Sequence, residues 1–291
     1  MKASESNPNY PSKVREMTNY TIREIKKVCK DIGPRPSGEE NERKAQDYVA
    51  DSMSKVADSV VKEKFELHPK AFMGWVPLDV ILMTISVILT LLSYFDVLPS
   101  ASTAFSVVSV VLTSLAIIFT FFEFLLYKKF LDPFFPKRET YNVVCTRKAA
   151  GETKRRIVFS GHIDSAYEWY FTHLGGGNLL TTMIALAFGA IAITLAASIV
   201  SFFDVPNGVR VTAIVVLFVC LIPILMCSKF VNWKLCVPGA NDNLTGVFAS
   251  MSVLRYMAAN DIRFENTEVV CVSMACEEGG LRGAKEYVKK H

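Results

Sequence analysis

Residues 155–165 read Arg-Arg-Ile-Val-Phe-Ser-Gly-His-Ile-Asp-Ser, an apolar run that breaks at a glycine and leaves a histidine and an aspartate at its end. Such a run, rich in β-branched and aromatic residues, predicts a strand. In an α/β sheet, ligands gather beyond the C-terminal ends of strands, so His162 is presented where chemistry is done. Asp164 is close enough to accept a proton from the ring nitrogen that a metal leaves free, which fixes the tautomer and raises ligand basicity. A buried histidine hydrogen-bonded to its aspartate neighbour explains the same residues equally well.

Working outward, residues 60–67 (VVKEKFEL), 141–146 (YNVVCT) and 267–274 (TEVVCVSM) read as further strands. Apolar residues at helical spacing predict helices over residues 18–31, 39–56 and 245–259, with another starting at Gly283. Strands alternating with helices argue for an α/β domain. Its segments are discontinuous: residues 19–78, 128–178 and 228–291, after a loose polar arm over residues 1–18.

The interruptions are apolar. Of the 291 residues, 51% are apolar and 21% charged, and the excess lies in residues 80–98, 101–127, 179–203 and 211–227. A bilayer span needs roughly 20 apolar residues. Paired by short connectors, the runs predict two inserted transmembrane helical hairpins, over residues 79–127 and 179–227, in a multi-pass membrane protein with the lipid bilayer as partner. Lys62, Lys64, Lys70, Lys128, Lys129, Lys137 and Arg138 flank the first pair, and Lys229 and Lys234 follow the second. By the positive-inside tendency the polar domain faces the cytoplasm, and the plasma membrane is the expected location. Seven cysteines without a CxxC pair favour reduced thiols on such a domain. A net charge of +4 is too small to imply a nucleic-acid partner.

Two more clusters carry chemistry. In Pro238-Gly-Ala-Asn-Asp-Asn-Leu-Thr-Gly246, Asp242 stands just before a helix. It is either a helix cap or a carboxylate whose two oxygens bridge two cations. In Cys276-Glu-Glu-Gly-Gly-Leu-Arg-Gly283, two adjacent glutamates follow the most apolar strand. Their side chains point different ways, so one can hold a metal while the other faces a water; a solvated acidic pair is the plain alternative.

Taken together, GHIDS, GANDNLTG and EEGGLRG, with the upstream IGPRPSGEENERKAQDYV, resemble the M28 family of co-catalytic zinc peptidases. The resemblance covers the polar parts of the chain. It implies a mixed, mostly parallel sheet flanked by helices, with two Zn2+ ions (Mn2+ or Co2+ being possible) at the strand ends. His162 corresponds to the histidine ligand of one metal, Asp242 to the bridging carboxylate and Glu278 to the ligand of the other. Glu277 corresponds to the general base, and Asp164 to the residue that orients His162. The implied activity is a membrane-anchored aminopeptidase, removing N-terminal residues from short peptides through a metal-activated water. Family members carry a further aspartate and a late histidine as ligands. Neither follows Glu278 here, so the resemblance implies a C-terminally truncated chain with two protein ligands per metal. The alternative is a non-catalytic membrane scaffold or binding protein with an incomplete peptidase domain.

Overall fold

The computed structural model describes residues 10–291. The elements in chain order are α1 (Tyr10–Asp31), α2 (Glu40–Met53), β1 (Ser59–Leu67), α3 (Val76–Tyr94), α4 (Ser102–Phe119), β2 (Arg138–Arg147), β3 (Arg155–His162), β4 (Tyr167–Trp169), α5 (Tyr170–Val200), α6 (Asn207–Met226), β5 (Val231–Cys236), α7 (Thr245–Ala259), β6 (Thr267–Met274) and α8 (Arg282–Lys290). Helix α1 begins eight residues before the expected start at residue 18, so only residues 1–9 of the expected arm remain, outside the described residues. The chain separates into two compact units: Met1–Pro69, Pro136–Tyr167 and Leu235–His291 form one, Lys70–Phe135 and Glu168–Lys234 the other.

The first unit holds a four-stranded sheet of order β1-β2-β6-β3. The expected mostly parallel sheet is not what forms: β1–β2 and β2–β6 are antiparallel, and only β3–β6 is parallel. The register gives the reason. Leu67 at the end of β1 is the Cα partner of Arg138 at the start of β2. The two strands are therefore the arms of a hairpin whose turn is replaced by residues 68–137. A hairpin is antiparallel by geometry, whatever its connection contains.

Alternation along the strands divides the core between the two faces. Val143, Cys145, Val269 and Cys271 pack with Val28 of α1, Val49 and Met53 of α2, and Phe248, Met251 and Leu254 of α7. Val144, Val270 and Val272 turn to the other face and meet Tyr287 of α8. Strand β6 is central and buried, whereas β3 is an edge strand on which Ile157, Val158 and Phe159 are exposed. Strands β4 and β5 form a separate two-stranded ribbon.

The second unit is helical. Four helices, Ala71–Tyr94, Pro99–Leu125, Tyr170–Val200 and Asn207–Lys229, are long and apolar enough to cross a membrane. Two separate paired hairpins are not formed, which corrects the second part of the expected fold. Buried hydroxyls join helices from both apolar pairs into one bundle instead. The Ser109 hydroxyl of α4 lies 2.6 Å from those of Ser86 and Thr90 on α3, and 2.6 Å from that of Ser198 on α5. Thr90 also meets Ser198 at 2.8 Å, and Ser106 meets Ser201 at 2.7 Å. Hydroxyls in apolar surroundings are satisfied most cheaply by one another across helix interfaces, which gathers α3, α4 and α5. Large apolar side chains such as Ile81, Ile88, Val111, Phe218 and Ile222 point outward. That distribution, hydroxyls inside and alkyl groups outside, is consistent with a multi-pass membrane protein.

Candidate metal centre

Three chain segments of the first unit carry the candidate groups. His162 ends β3, Asp242 lies in the irregular turn Ala240–Leu244 before α7, and Glu277 and Glu278 follow β6. Because β3 and β6 are parallel neighbours with His162 opposite Met274, the histidine and the glutamate pair emerge from the same end of the sheet. The turn before α7 reaches them because Gly161 has no side chain. A Cβ there would sit 2.3 Å from the backbone nitrogen of Val247 and 2.4 Å from the carbonyl carbon of Gly246. Gly239 begins that turn in the left-handed region (φ +60°), where a side chain is strained and would meet Ser165. The peptide between Asp242 and Asn243 is cis.

The geometry places His162, Glu277 and Glu278 in one group whose donor atoms all lie within 4.8 Å of each other. Among the described residues it is the single such group of three. The Nε2 of His162 is 3.6 Å from a Glu277 carboxylate oxygen and 3.0 Å from Oδ1 of Asp242. Asp242 thus touches the histidine but lies outside the three-residue group, with a side chain 78% exposed. His173 pairs with Glu168 and His291 with Glu63, and neither joins the group.

Asp164 organises the centre from beneath. Its carboxylate is fully buried and accepts the backbone N–H of Glu277 on Oδ1 and that of Glu278 on Oδ2, both at 3.0 Å. The Ser37 hydroxyl donates to Oδ2 at 2.6 Å. The Nδ1 of His162 lies 3.2 Å from the carbonyl oxygen of Asp164 and 3.4 Å from its Oδ1. When Nδ1–H donates to this pair of acceptors, Nε2 is left to face the glutamates.

Electrostatics concentrate negative charge here. Burial pushes the Glu278 and Glu277 carboxyls above their ordinary range, and the Asp164 charge adds to the rise in both. Burial alone would lower His162, but the hydrogen bond to Asp164 and the surrounding carboxylates carry it above its ordinary value. A cation held among these carboxyls would offset the cost of ionising them. One imidazole nitrogen with two carboxylate oxygens is a donor set that Zn2+ accepts. The residues present therefore fit a single divalent cation.

Several residues that hold this centre in place received no individual role from the sequence. Arg35 is wholly buried: its guanidinium donates to the carbonyls of Ile163 at 2.6 Å, Gly33 at 2.7 Å and Gly239 at 3.2 Å. It thereby ties the His162 strand end to the Asp242 turn. The carboxylate of Glu42 accepts the backbone N–H groups of Cys276 at 2.8 Å and Gly38 at 3.0 Å. Asn142 accepts from the Ala275 N–H and donates to the Gly283 carbonyl, each at 2.9 Å. The available signal was the dense IGPRPSGEEN segment, whose prolines and glycines mark a fixed loop.

Residues 227–291, less than a quarter of the chain, match peptidase family M28. The matched segment contains Asp242, Glu277 and Glu278, but not His162. No protein with a curated description matches the chain.

Proposed function

We propose that this chain is a membrane-embedded protein whose peptidase-like domain binds one divalent cation, Zn2+ by donor chemistry, at His162, Glu277 and Glu278, and that it acts as a metal-dependent binding protein. The observation that carries this reading is the convergence of those three groups, and no others, in one cluster among the described residues. The match to family M28 over residues 227–291 supports the peptidase-like character of the domain. The basic residues flanking the apolar helices support a cytoplasmic orientation of that domain.

A second reading is favoured by the position of Asp242, 3.0 Å from His162. In it the chain is an aminopeptidase acting on short peptides, and His162, Asp242 and Glu278 would together hold the metal that activates the water. Bound metal would supply Lewis-acid polarisation and a water of lowered pKa. Glu277, half-buried and raised by burial, is then the group that takes the proton from the attacking water and returns it to the departing amine. Asp164 orients His162 and fixes the backbone of both glutamates.

The two readings separate in one experiment on the full chain in detergent. Zinc binding is followed by calorimetry, and hydrolysis by a panel of fluorogenic aminoacyl amides. Zinc binding without turnover is the result expected of the binding protein. Turnover that Glu277→Gln abolishes, with zinc still bound, establishes the peptidase instead. Absence of zinc binding defeats both.

A further inference from the structure

The two ends of the helical unit differ in surface charge. Aromatic contacts gather the start of α3, the end of α4, the start of α5 and the end of α6 at one of them. Phe72 stacks on Tyr127 with ring centroids 5.0 Å apart, Trp169 lies 5.3 Å from Phe230, and the Lys70 ammonium is 6.0 Å from the Trp233 ring. Lys70, Lys128, Lys229 and Lys234 are exposed at this end, and Lys129 is half-buried. Its carboxylates are withdrawn: Glu123 and Asp132 are buried, and Glu168 accepts from Asn232 at 3.0 Å and pairs with His173. At the opposite end Asp96 and Asp204 are exposed, and the Arg210 guanidinium is held by the Tyr94 carbonyl.

At the basic end the chain leaves the Pro99–Leu125 span through residues 126–135 (LYKKFLDPFF), which form a fixed loop. The Glu123 carboxylate accepts the Leu131 backbone N–H at 2.6 Å, Leu131 is buried, and a 3-10 turn follows over Asp132–Phe134. The loop leaves Phe130 51% and Phe134 80% exposed, on the same stretch as Lys128 and Lys129. The Phe130 ring lies 6.0 Å from that of Phe122, itself exposed near the end of the span, so the apolar surface of the span continues into the loop. In water such rings are a liability. In the headgroup layer of a bilayer, aromatic rings are at home and lysines meet phosphates. From this combination we infer that the loop and the lysines of this end form a binding surface for acidic phospholipids of the surrounding bilayer. The exposed ammonium groups pair with lipid phosphates, and Phe130 and Phe134 enter the boundary between headgroups and acyl chains. The inference rests on the reading of the chain as membrane-embedded and is independent of the His162 centre.

Native mass spectrometry of the full chain, released from nanodiscs of equimolar phosphatidylglycerol and phosphatidylcholine, counts the lipids that stay bound. Phosphatidylglycerol should be retained at least about fivefold over phosphatidylcholine, because each lysine near an acidic surface adds a severalfold preference. The triple variant Lys128→Gln, Lys229→Gln, Lys234→Gln changes exposed side chains alone and should bring the ratio to within about twofold of unity. Asp96→Asn with Asp204→Asn, at the opposite end, should leave the ratio unchanged. Phe130→Ser with Phe134→Ser should lower the number of retained phosphatidylglycerol molecules at least about twofold. Equal retention of the two lipids by the wild-type chain overturns the inference. So does a wild-type ratio in the lysine variant, wild-type retention in the phenylalanine variant, or a shift in the aspartate variant as large as that in the lysine variant. A chain that does not enter the nanodiscs defeats the membrane reading itself.

Discussion

Oδ2 of Asp164 accepts the backbone N–H of Glu278 at 3.0 Å, so a residue two positions beyond His162 fixes a residue that follows a different strand. Oδ1 does the same for Glu277, and the Ser37 hydroxyl completes the shell. One buried carboxylate therefore sets the spacing between the histidine and both glutamates.

Asp164→Asn tests that linkage. The amide keeps the size but turns an N–H donor toward backbone donors, leaving buried groups unsatisfied at a loss of about 1–3 kcal/mol. Zinc affinity should fall about 10–100-fold, the usual consequence of removing such a supporting group. Calorimetric titration beside a thermal melt reads both. Unchanged affinity in a destabilised variant would restrict Asp164 to a folding role.

Gly161→Ala should disable the centre without touching a ligand. The added Cβ meets the backbone of Gly246 and Val247, which no rotamer change relieves. Pushing α7 away should destabilise the domain by about 1–3 kcal/mol and weaken zinc binding. Chemical denaturation and zinc titration of the same preparation check it; wild-type values for both would show that the close approach is not needed.

The Asp58–Arg263 ion pair predicts an acid-sensitive contribution to the stability of the first unit. The guanidinium of Arg263 donates to both of its oxygens, at 2.6 and 2.7 Å, and holds the carboxyl down at about 2. The unfolded value is about 3.9. Because the folded value is the lower one, the stabilisation is fully present above about pH 4 and disappears as pH falls toward about 2. Unfolding midpoints of wild type and Asp58→Asn should therefore differ at neutral pH and converge in acid. A constant difference across that range would contradict the assignment.

In the helical unit, Ser109→Ala removes the hydroxyl shared by Ser86, Thr90 and Ser198. Interhelical hydrogen bonds in membranes contribute about 0.6 kcal/mol on average, and the variant should lose about 1 kcal/mol in detergent unfolding assays. A neutral substitution would show that alkyl packing alone holds α4 against α3 and α5.

The words GHIDS, GANDNLTG and EEGGLRG located the strand ends and turns that supply His162, Asp242, Glu277 and Glu278, because strand patterning and glycine-marked turns are local signals. The direction of β1 against β2 was not legible. Their register joins Leu67 to Arg138 across the helical insertion, and no local pattern reports such a pairing. The single bundle was hidden for a related reason. Ser86, Ser109 and Ser198 read as minor interruptions of apolar runs until their positions in space show that they meet. Arg35 and Glu42 likewise look like ordinary surface charges on a polar segment, and only burial against distant carbonyl and amide groups reveals their part. Asp242 lies 3.0 Å from His162, a proximity between residues 80 positions apart that no local pattern reports.

The stoichiometry of bound zinc tests the central claim most directly. Native mass spectrometry of the full chain, loaded with zinc and released from detergent, should show one ion per chain, lost in both His162→Ala and Glu278→Ala. Two ions per chain, or one that survives both substitutions, would contradict a single centre at His162, Glu277 and Glu278.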